Sequence, residues 1–258
     1  MQVEPLAIEL CQRRLAGAKS TPLINGPETL EQGMALQQAC IVCMKAAGYR
    51  QIGWKCAMPP QDKWVFGPLY DAETFQGEGE IDARIIPERG IARIEPELIF
   101  TLKTDLPARG TPWSQAEVDA AIGEAHMAIE LIGTRFEDPS QCVFPAMLAD
   151  GVSNQGLVIG PRVDLAAALA ARTLQIQIEG AADAVLSYDG QHPSGLPTEP
   201  LAWFANFLNT HGRGLQAGEK IITGTYAGVL EVPLHRSLRM AYAGLGEMAF
   251  RFSPRQDG

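Results

Sequence analysis

Two closely spaced glutamates, Glu95 and Glu97, stand in an apolar stretch and are separated by a single proline. If this stretch is a β-strand, its period of two places both carboxylates on one face. Side by side in apolar surroundings they would repel each other and resist ionising unless a cation bridged them. The hard cations Mg²⁺ and Mn²⁺ prefer such oxygen ligands and retain waters that a substrate can displace. The spacing therefore indicates a metal site; the alternative is an exposed strand face with two solvated glutamates.

A third glutamate, Glu130, is enclosed by apolar neighbours in a run of strand length. Such neighbours predict burial, and a buried carboxylate needs a partner. Three glutamates without a companion cluster of histidines or cysteines favour Mg²⁺ or Mn²⁺ over Zn²⁺. The alternative is a buried ion pair between Glu130 and Arg135 or another arginine.

Lys55 follows the apolar residues 52–54 and is the next candidate for chemistry. It could hold a substrate carboxylate or carry a proton with a lowered pKa. The alternative is a lysine at a strand end whose ammonium group reaches solvent. The four histidines are scattered, and His126, predicted near the end of a helix, is interpreted as structural. No P-loop, dinucleotide fingerprint or serine nucleophile elbow is present.

The elements that must position these residues are predicted from periodicity and from turn residues. Helices are predicted at residues 4–16 and 26–47, each followed by glycine. Ser114 and Glu117 form a capping box that predicts a third helix continuing through Ile122 and Ala125, and a short helix is predicted at 200–208. Strands are predicted at residues 52–54, 90–94, 98–102, 127–132, 155–159, 174–179, 221–223, 229–232 and 247–252. This pattern favours an α+β fold, with a helical N-terminal region (1–50) and a β-rich catalytic domain (51–258) built as a barrel or sandwich.

Composition excludes several classes of function. The 258 residues are 46% hydrophobic and 20% charged, as in an ordinary globular protein, and the net charge of −9 argues against a nucleic-acid partner. There is no apolar run long enough to span a membrane and no basic, secretory N-terminus. Five cysteines do not indicate a disulfide framework, and Cys40 and Cys43 fit core positions on a helix. We therefore expect a cytoplasmic protein.

An ordered set of segments resembles the fumarylacetoacetate hydrolase superfamily, and most closely its 2-hydroxypenta-2,4-dienoate hydratase and 4-oxalocrotonate decarboxylase branch. The segments lie at residues 52–55, 66–70, 93–98, 128–135, 149–154, 157–160, 201–206 and 215–224. The resemblance implies a β-rich, mixed, barrel-like sheet roll of the type in that family's C-terminal domain. It also implies a homo-oligomer, which we expect can in addition form a complex with a pathway partner enzyme.

The resemblance also implies roles for individual residues. Glu95, Glu97 and Glu130 fall on the family's metal ligands. Catalytic positions are implied for Lys55, Asp71 and Thr223, and substrate-binding positions for Gly224, Tyr70 and Asp150. Three places depart from the family pattern: residues 56–60 lack a substrate-contacting hydroxyl, the aspartate expected after the segment 66–70 is displaced by one to Asp71, and the loop before Trp203 is shortened. Each change affects the predicted pocket rather than the metal ligands.

The function implied is that of a metal-dependent lyase of aromatic meta-cleavage catabolism. A 2-oxo or 2-hydroxydienoic acid would bind the Mg²⁺ or Mn²⁺ through its carboxylate and C2 oxygen, so that its enolate is stabilised. Hydration and decarboxylation both start from that enolate. The alternatives are C–C hydrolysis of an acylpyruvate, for which the expected His-Glu pair is not found, and a non-catalytic partner subunit of a decarboxylase.

Overall fold

The computed structural model describes residues 1–60 and 62–255; the end of the predicted β-rich domain, residues 256–258, lies outside them. The α-helices are α1 (Val3–Ala16), α2 (Leu30–Ala46), α3 (Gln115–Ala121), α4 (Phe144–Ala149), α5 (Leu165–Ala170) and α6 (Glu199–Thr210). The β-strands are β1 (Gln51–Cys56), β2 (Phe66–Tyr70), β3 (Thr74–Gln76), β4 (Glu80–Ile85), β5 (Ile91–Leu102), β6 (Ile122–Ile132), β7 (Asn154–Val163), β8 (Thr173–Glu179), β9 (Leu186–Gln191), β10 (Lys220–Ile222), β11 (Leu230–Pro233), β12 (Leu238–Tyr242) and β13 (Gly246–Pro254).

The strands form two mixed sheets that share one hydrophobic core. The larger has eight strands, in the order β2-β1-β10-β5-β6-β7-β3, with β11 also paired to β5. The smaller has five, in the order β4-β13-β12-β8-β9. Side chains of both sheets, such as Leu98 and Phe100 of β5 and Phe250 of β13, meet in the main apolar cluster. The α+β, β-rich fold predicted from the sequence is confirmed.

Strand β5 separates the core from the candidate site. Its even-numbered residues Ile94, Leu98 and Phe100 are buried in the main cluster, so the period of two turns the odd-numbered residues to the opposite face. The predicted strands 90–94 and 98–102 are one continuous strand. Pro96 is tolerated there because it lies between the segments of β5 that pair with β11 (residues 91–94) and with β10 (residues 99–101).

The N-terminal helices pack on α4 in a second apolar cluster that includes Leu10, Leu36 and Ala146. Helix α1 ends as predicted at Gly17, which has the left-handed conformation (φ 65°). Helix α2 begins four residues later than the predicted start at Gly26. The Thr29 side chain accepts the backbone N–H of Gln32 and sets the true N-terminus.

The third helix is shorter in the structure than the sequence predicts. The capping box of Ser114 and Glu117 is present, but α3 ends at Ala121 and β6 begins at Ile122. Pairing of β6 with both β5 and β7 outweighs the helical spacing of residues 122–125. His126 therefore lies within a strand and not near a helix end, which corrects the prediction.

Two further sequence predictions concern the membrane and the thiols. No helix among the described residues is both long and apolar enough to cross a bilayer. All five cysteines are free, with Cys40 buried and Cys43 half-buried on α2. The CxxC spacing on this helix thus has the packing role that was predicted for it.

Candidate metal centre and active site

Strands β5 and β6 bring the three glutamates together. In their antiparallel register Glu95 lies opposite Glu130, and Glu97 lies two residues further along the same face of β5. One carboxylate oxygen of each residue lies within 4.8 Å of the other two. Glu97 is 1% exposed and Glu130 is fully buried. These carboxylates are therefore not an exposed strand face, which rules out the alternative interpretation.

The two oxygens of Glu130 have different surroundings. Its Oε1 accepts hydrogen bonds from Lys55 Nζ at 2.6 Å and from Asn154 Nδ2 at 2.9 Å. Its Oε2 is buried and has no hydrogen-bond partner among the described residues. A buried carboxylate oxygen without a partner is costly, and coordination to a cation would remove that cost. The alternative partner Arg135 instead pairs with Asp150 at 2.5 Å.

Glu97 is oriented by the backbone of the loop after β10. The N–H of Gly224 donates to Glu97 Oε2 at 2.8 Å. Gly224 has a φ of 123°, a conformation that residues with a Cβ rarely adopt. Nearby, the N–H of Tyr226 donates to the carbonyl of Pro96 at 3.1 Å and ties the same loop to β5. The glycine therefore permits the turn that aims a backbone donor at a metal-ligand candidate.

The charges of the centre do not balance. Burial, together with the charge of Glu130, raises the pKa of Glu95 to about 7. Burial and the charges of Glu130 and Glu95 raise the pKa of Glu97 well above its ordinary value. Three carboxylates face the single ammonium of Lys55, which leaves two negative charges uncompensated when all are ionised. One divalent cation would balance them, and the oxygen-only donor set suits a hard ion.

Lys55 is buried beneath the carboxylates. Its Nζ also donates to the carbonyl of Val152 at 3.1 Å. Burial alone would lower the pKa of Lys55, but the nearby glutamates, Glu130 foremost, outweigh it and raise that pKa above its ordinary value. The prediction that Lys55 carries a proton with a lowered pKa is therefore wrong. Lys55 is a protonated donor in this arrangement.

These residues open on a cavity of about 460 Å³. Lys55, the three glutamates and Gly224 all contribute to its wall, together with Arg93. The remaining wall is mostly apolar and consists of Cys56, Ala57, Val65, Ile132, Pro139, Val152, Ser153, Pro193, Thr225 and Val229. The size and the single polar cluster suit a small acid held by a few directed contacts.

Four predicted site residues lie outside this wall. Asp71 pairs with Arg50 at 3.3 Å at the protein surface. The carboxylate of Asp150 accepts a hydrogen bond from the buried guanidinium of Arg135 and forms an ion pair with it. It is therefore not directed at a substrate.

Tyr70 is buried beside α1, with the guanidinium of Arg14 5.1 Å from its ring centroid. Thr223 is buried next to Gly224 but does not face the cavity. The structure thus brings together Lys55, Gly224 and the three metal-ligand candidates, and it leaves the other four outside the cavity wall.

Three contributors to the site were not predicted as site residues. Arg93 lies two residues before Glu95 on the same face of β5, so the strand period contained the signal. The carbonyl of Val152 comes from the turn before β7, and Asn154 is the first residue of that strand. Their contacts depend on tertiary placement, which no local pattern in the sequence encodes.

Comparison with known proteins extends these observations. The chain matches no family model. It is 25% identical over 272 residues to a 4-oxalocrotonate decarboxylase from Pseudomonas sp., covering 97% of this chain and 98% of that protein. It is 27% identical over 240 residues to a 2-hydroxyhexa-2,4-dienoate hydratase from Comamonas testosteroni, covering 89% of each. The structure of 4-oxalocrotonate decarboxylase from Pseudomonas putida G7, complexed with magnesium and adipate, has a TM-score of 0.81 at 24% identity, covering 98% of this chain and 97% of that chain.

The chain resembles the hydratase and decarboxylase branch of the fumarylacetoacetate hydrolase superfamily. The resemblance stated from the sequence motifs is confirmed, and it extends over nearly the whole chain, including α1 and α2. The predicted reaction class, a hydratase or decarboxylase, agrees with the names of these relatives.

Proposed function

We propose that the protein is a divalent-metal-dependent lyase, a hydratase or decarboxylase, that acts on a small 2-oxo or 2-hydroxydienoic acid. The observation that carries the proposal is the buried cluster of Glu95, Glu97 and Glu130 against Lys55 at the wall of a small cavity. The names of the relatives support the reaction class.

Glu95, Glu97 and Glu130 would hold Mg²⁺ or Mn²⁺, with Glu130 binding through Oε2, for which the described part of the chain offers no hydrogen-bond partner. The bound cation would supply Lewis-acid stabilisation of the negative charge that develops on the C2 oxygen of the substrate. Gly224 N–H keeps Glu97 oriented toward the same point. A rigid set of ligands of this kind reduces the reorganisation needed during the reaction.

Lys55 is the proton-bearing group of the cavity. Its ammonium has three N–H donors, and two of them are used by Glu130 and the Val152 carbonyl. The third is available to a substrate oxygen or to the carbon that receives a proton. The thiol of Cys56, which stands next to it, stays protonated because burial raises its pKa well above the ordinary value. A thiolate nucleophile is therefore not part of the mechanism.

Arg93 favours a substrate with a second carboxylate. Arg93 lies on the same face of β5 as Glu95 and contributes to the same cavity wall, so one small acid can contact both the carboxylate-bound cation and the guanidinium. The only ion pair of Arg93 among the described residues is with Glu88, at 3.0 Å and through Nη1, so further guanidinium donors can face the cavity. The relative from Pseudomonas putida G7 was solved with adipate, a six-carbon dicarboxylate. We therefore favour a dienedioic acid as the substrate, and of the two lyase reactions we favour decarboxylation because it is the reaction in the name of this relative.

The proposal is tested by incubating the purified protein with Mg²⁺ and, separately, 4-oxalocrotonate, 2-hydroxypenta-2,4-dienoate and acetylpyruvate. Loss of each ultraviolet band is followed with and without chelator. We expect chelator-sensitive loss of 4-oxalocrotonate with release of CO₂. Turnover of the pentadienoate alone would select hydration, cleavage of acetylpyruvate would select hydrolysis, and no turnover of any of them would contradict the proposal.

We also propose that the protein assembles as a homo-oligomer, as the family resemblance implies. Large apolar side chains at the surface, among them Ile24 and Val42, offer contact area for a second copy. Light scattering of the purified protein tests this, and a monomer at all concentrations would contradict it.

A further inference from the structure

A single neutral side chain, Asn154, connects the candidate metal centre with the first helix. Its Nδ2 donates to Glu130 Oε1 at 2.9 Å, and its Oδ1 accepts from Arg14 Nη2 at 3.4 Å. The guanidinium can only donate and the carboxylate can only accept, so the two ends of the amide are not interchangeable. Asn154 is 1% exposed, which leaves solvent no access to compete for these bonds.

The turn that places Asn154 has an unusual backbone. Gly151, Val152 and Ser153 all have positive φ values, of 75°, 52° and 62°. For a β-branched residue such as Val152 this conformation is strained and persists only where its surroundings impose it. The turn directs the Val152 carbonyl at Lys55 and the Asn154 amide at Glu130. Residues 152–154 thus form hydrogen bonds with both members of the Lys55–Glu130 ion pair.

Arg14 is itself fixed from the other side. Its Nε lies 3.1 and 3.0 Å from the two carboxylate oxygens of Glu73, and its Nη2 lies 2.5 Å from Oε2. Both residues are more than nine-tenths buried. A bidentate pair of this kind defines the plane and position of the guanidinium. The Oδ1 end of the Asn154 amide is therefore held by a residue of α1, while its Nδ2 also donates to the Gly156 carbonyl at 3.3 Å.

We propose that Asn154 is a positioning residue of the metal centre: it holds Glu130 by Oε1, so that Oε2 alone is offered to the cation, and Arg14 of α1 keeps Asn154 in that orientation. This inference rests on the proposed metal site. Without the amide, Glu130 can rotate and exchange its two oxygens between Lys55 and the cation. Groups that orient metal ligands in this way typically contribute about 10- to 100-fold in metal affinity.

The test is calorimetric titration of Mg²⁺ into wild-type protein, Asn154→Ala and Asn154→Leu, with folding checked by circular dichroism. Leucine preserves most of the volume, so a cavity is not the cause of any shared effect. We expect both variants to bind Mg²⁺ about 10- to 100-fold more weakly than the wild type. A folded variant with the wild-type affinity would overturn the proposal. A wild-type protein that binds no Mg²⁺ would instead contradict the metal site of the proposed function.

Asn206→Ala is the matched control. Asn206 on α6 is half-buried and also makes two hydrogen bonds, from Trp113 N at 2.7 Å and to Trp113 O at 2.9 Å, but it does not contribute to the cavity wall. Loss of the Asn206 side chain should lower the melting temperature and leave the Mg²⁺ affinity unchanged. An equal loss of affinity in this control would mean that the effect of Asn154 is a general consequence of destabilisation, and the proposal would fail.

The role of Arg14 is tested by the paired variant Arg14→Met with Glu73→Gln, which removes both charges together. We expect weaker Mg²⁺ binding, and we expect the combined variant with Asn154→Ala to bind no more weakly than Asn154→Ala alone, because both act through the same amide. This variant also carries the test if the Asn154 variants do not fold. Unchanged Mg²⁺ binding, or effects that add in full, would overturn the link to α1.

Discussion

Replacing Glu95 with glutamine should stabilise the metal-free protein and weaken its metal-bound form. The carboxyl of Glu95 has its pKa raised from 4.5 to about 7 by burial and by Glu130. A group with a raised folded-state pKa contributes stability below its unfolded pKa and loses it as pH rises through the folded value. The metal-free wild type should therefore become less stable between pH 4.5 and about 7, whereas Glu95→Gln, which resembles the protonated carboxyl, should lack the part of this loss that comes from Glu95.

The magnitude follows from the shift. A difference of about 2.5 pKa units at about 1.4 kcal/mol per unit gives an upper limit of about 3 kcal/mol, and partial exposure of Glu95 reduces it to about 1–3 kcal/mol. The assay is urea unfolding in chelator at pH 4 and pH 8. We expect the variant to be more stable than wild type only at pH 8.

Addition of Mg²⁺ should reverse that order. At a concentration of 100 times its dissociation constant, an ion that binds only the folded state adds about 2.7 kcal/mol to the free energy of unfolding. The variant gains less because it has lost one of the three carboxylates that would bind the ion. Glu231→Gln, at an exposed position of β11, is the control and should change neither measurement. If Glu95→Gln destabilises the metal-free protein at pH 8, the three carboxylates do not repel one another and the charge argument for a cation is refuted.

Three further substitutions test other parts of the site. Lys55→Met should abolish turnover and, by leaving Glu130 without a cation, cost up to about 3–5 kcal/mol of stability in chelator; wild-type turnover would contradict its role. Gly224→Ala has space for the Cβ but a φ of 123°, so we expect a loss of about 1–3 kcal/mol in urea unfolding and weaker Mg²⁺ binding through Glu97. Arg93→Met should raise KM for 4-oxalocrotonate and leave kcat/KM for 2-hydroxypenta-2,4-dienoate unchanged; equal effects on both substrates would exclude recognition of a second carboxylate.

The sequence was most informative where chemistry follows from local periodicity. The spacing of Glu95 and Glu97 predicted a shared strand face, and the apolar run around Glu130 predicted burial; both are confirmed by β5 and β6. Arg93 follows from the same period, yet a charged residue beside two candidate ligands is easily interpreted as a solvated side chain.

The sequence was least informative where a side chain has a choice of partners. Asp150 and Tyr70 lie in or beside segments that resemble the family, but spacing does not reveal that Arg135 binds the first and α1 covers the second. The helical spacing of Ile122 and Ala125 was overridden because β6 has strands on both sides. In each case the deciding contact comes from a residue remote in sequence.

The charge pattern around Asn154 suggests why a neutral amide stands there. On one side lies the buried pair of Arg14 and Glu73, which Arg255 also joins at 3.8 Å, and on the other the pair of Lys55 and Glu130. Once a divalent cation balances the carboxylates, an ionised side chain between the two pairs would add an uncompensated buried charge, at a cost of several kcal/mol. An amide accepts from the guanidinium and donates to the carboxylate while adding no charge. The helical region 1–50 and the β-rich region that follows it, predicted as separate units, would then form one functional unit at the metal centre.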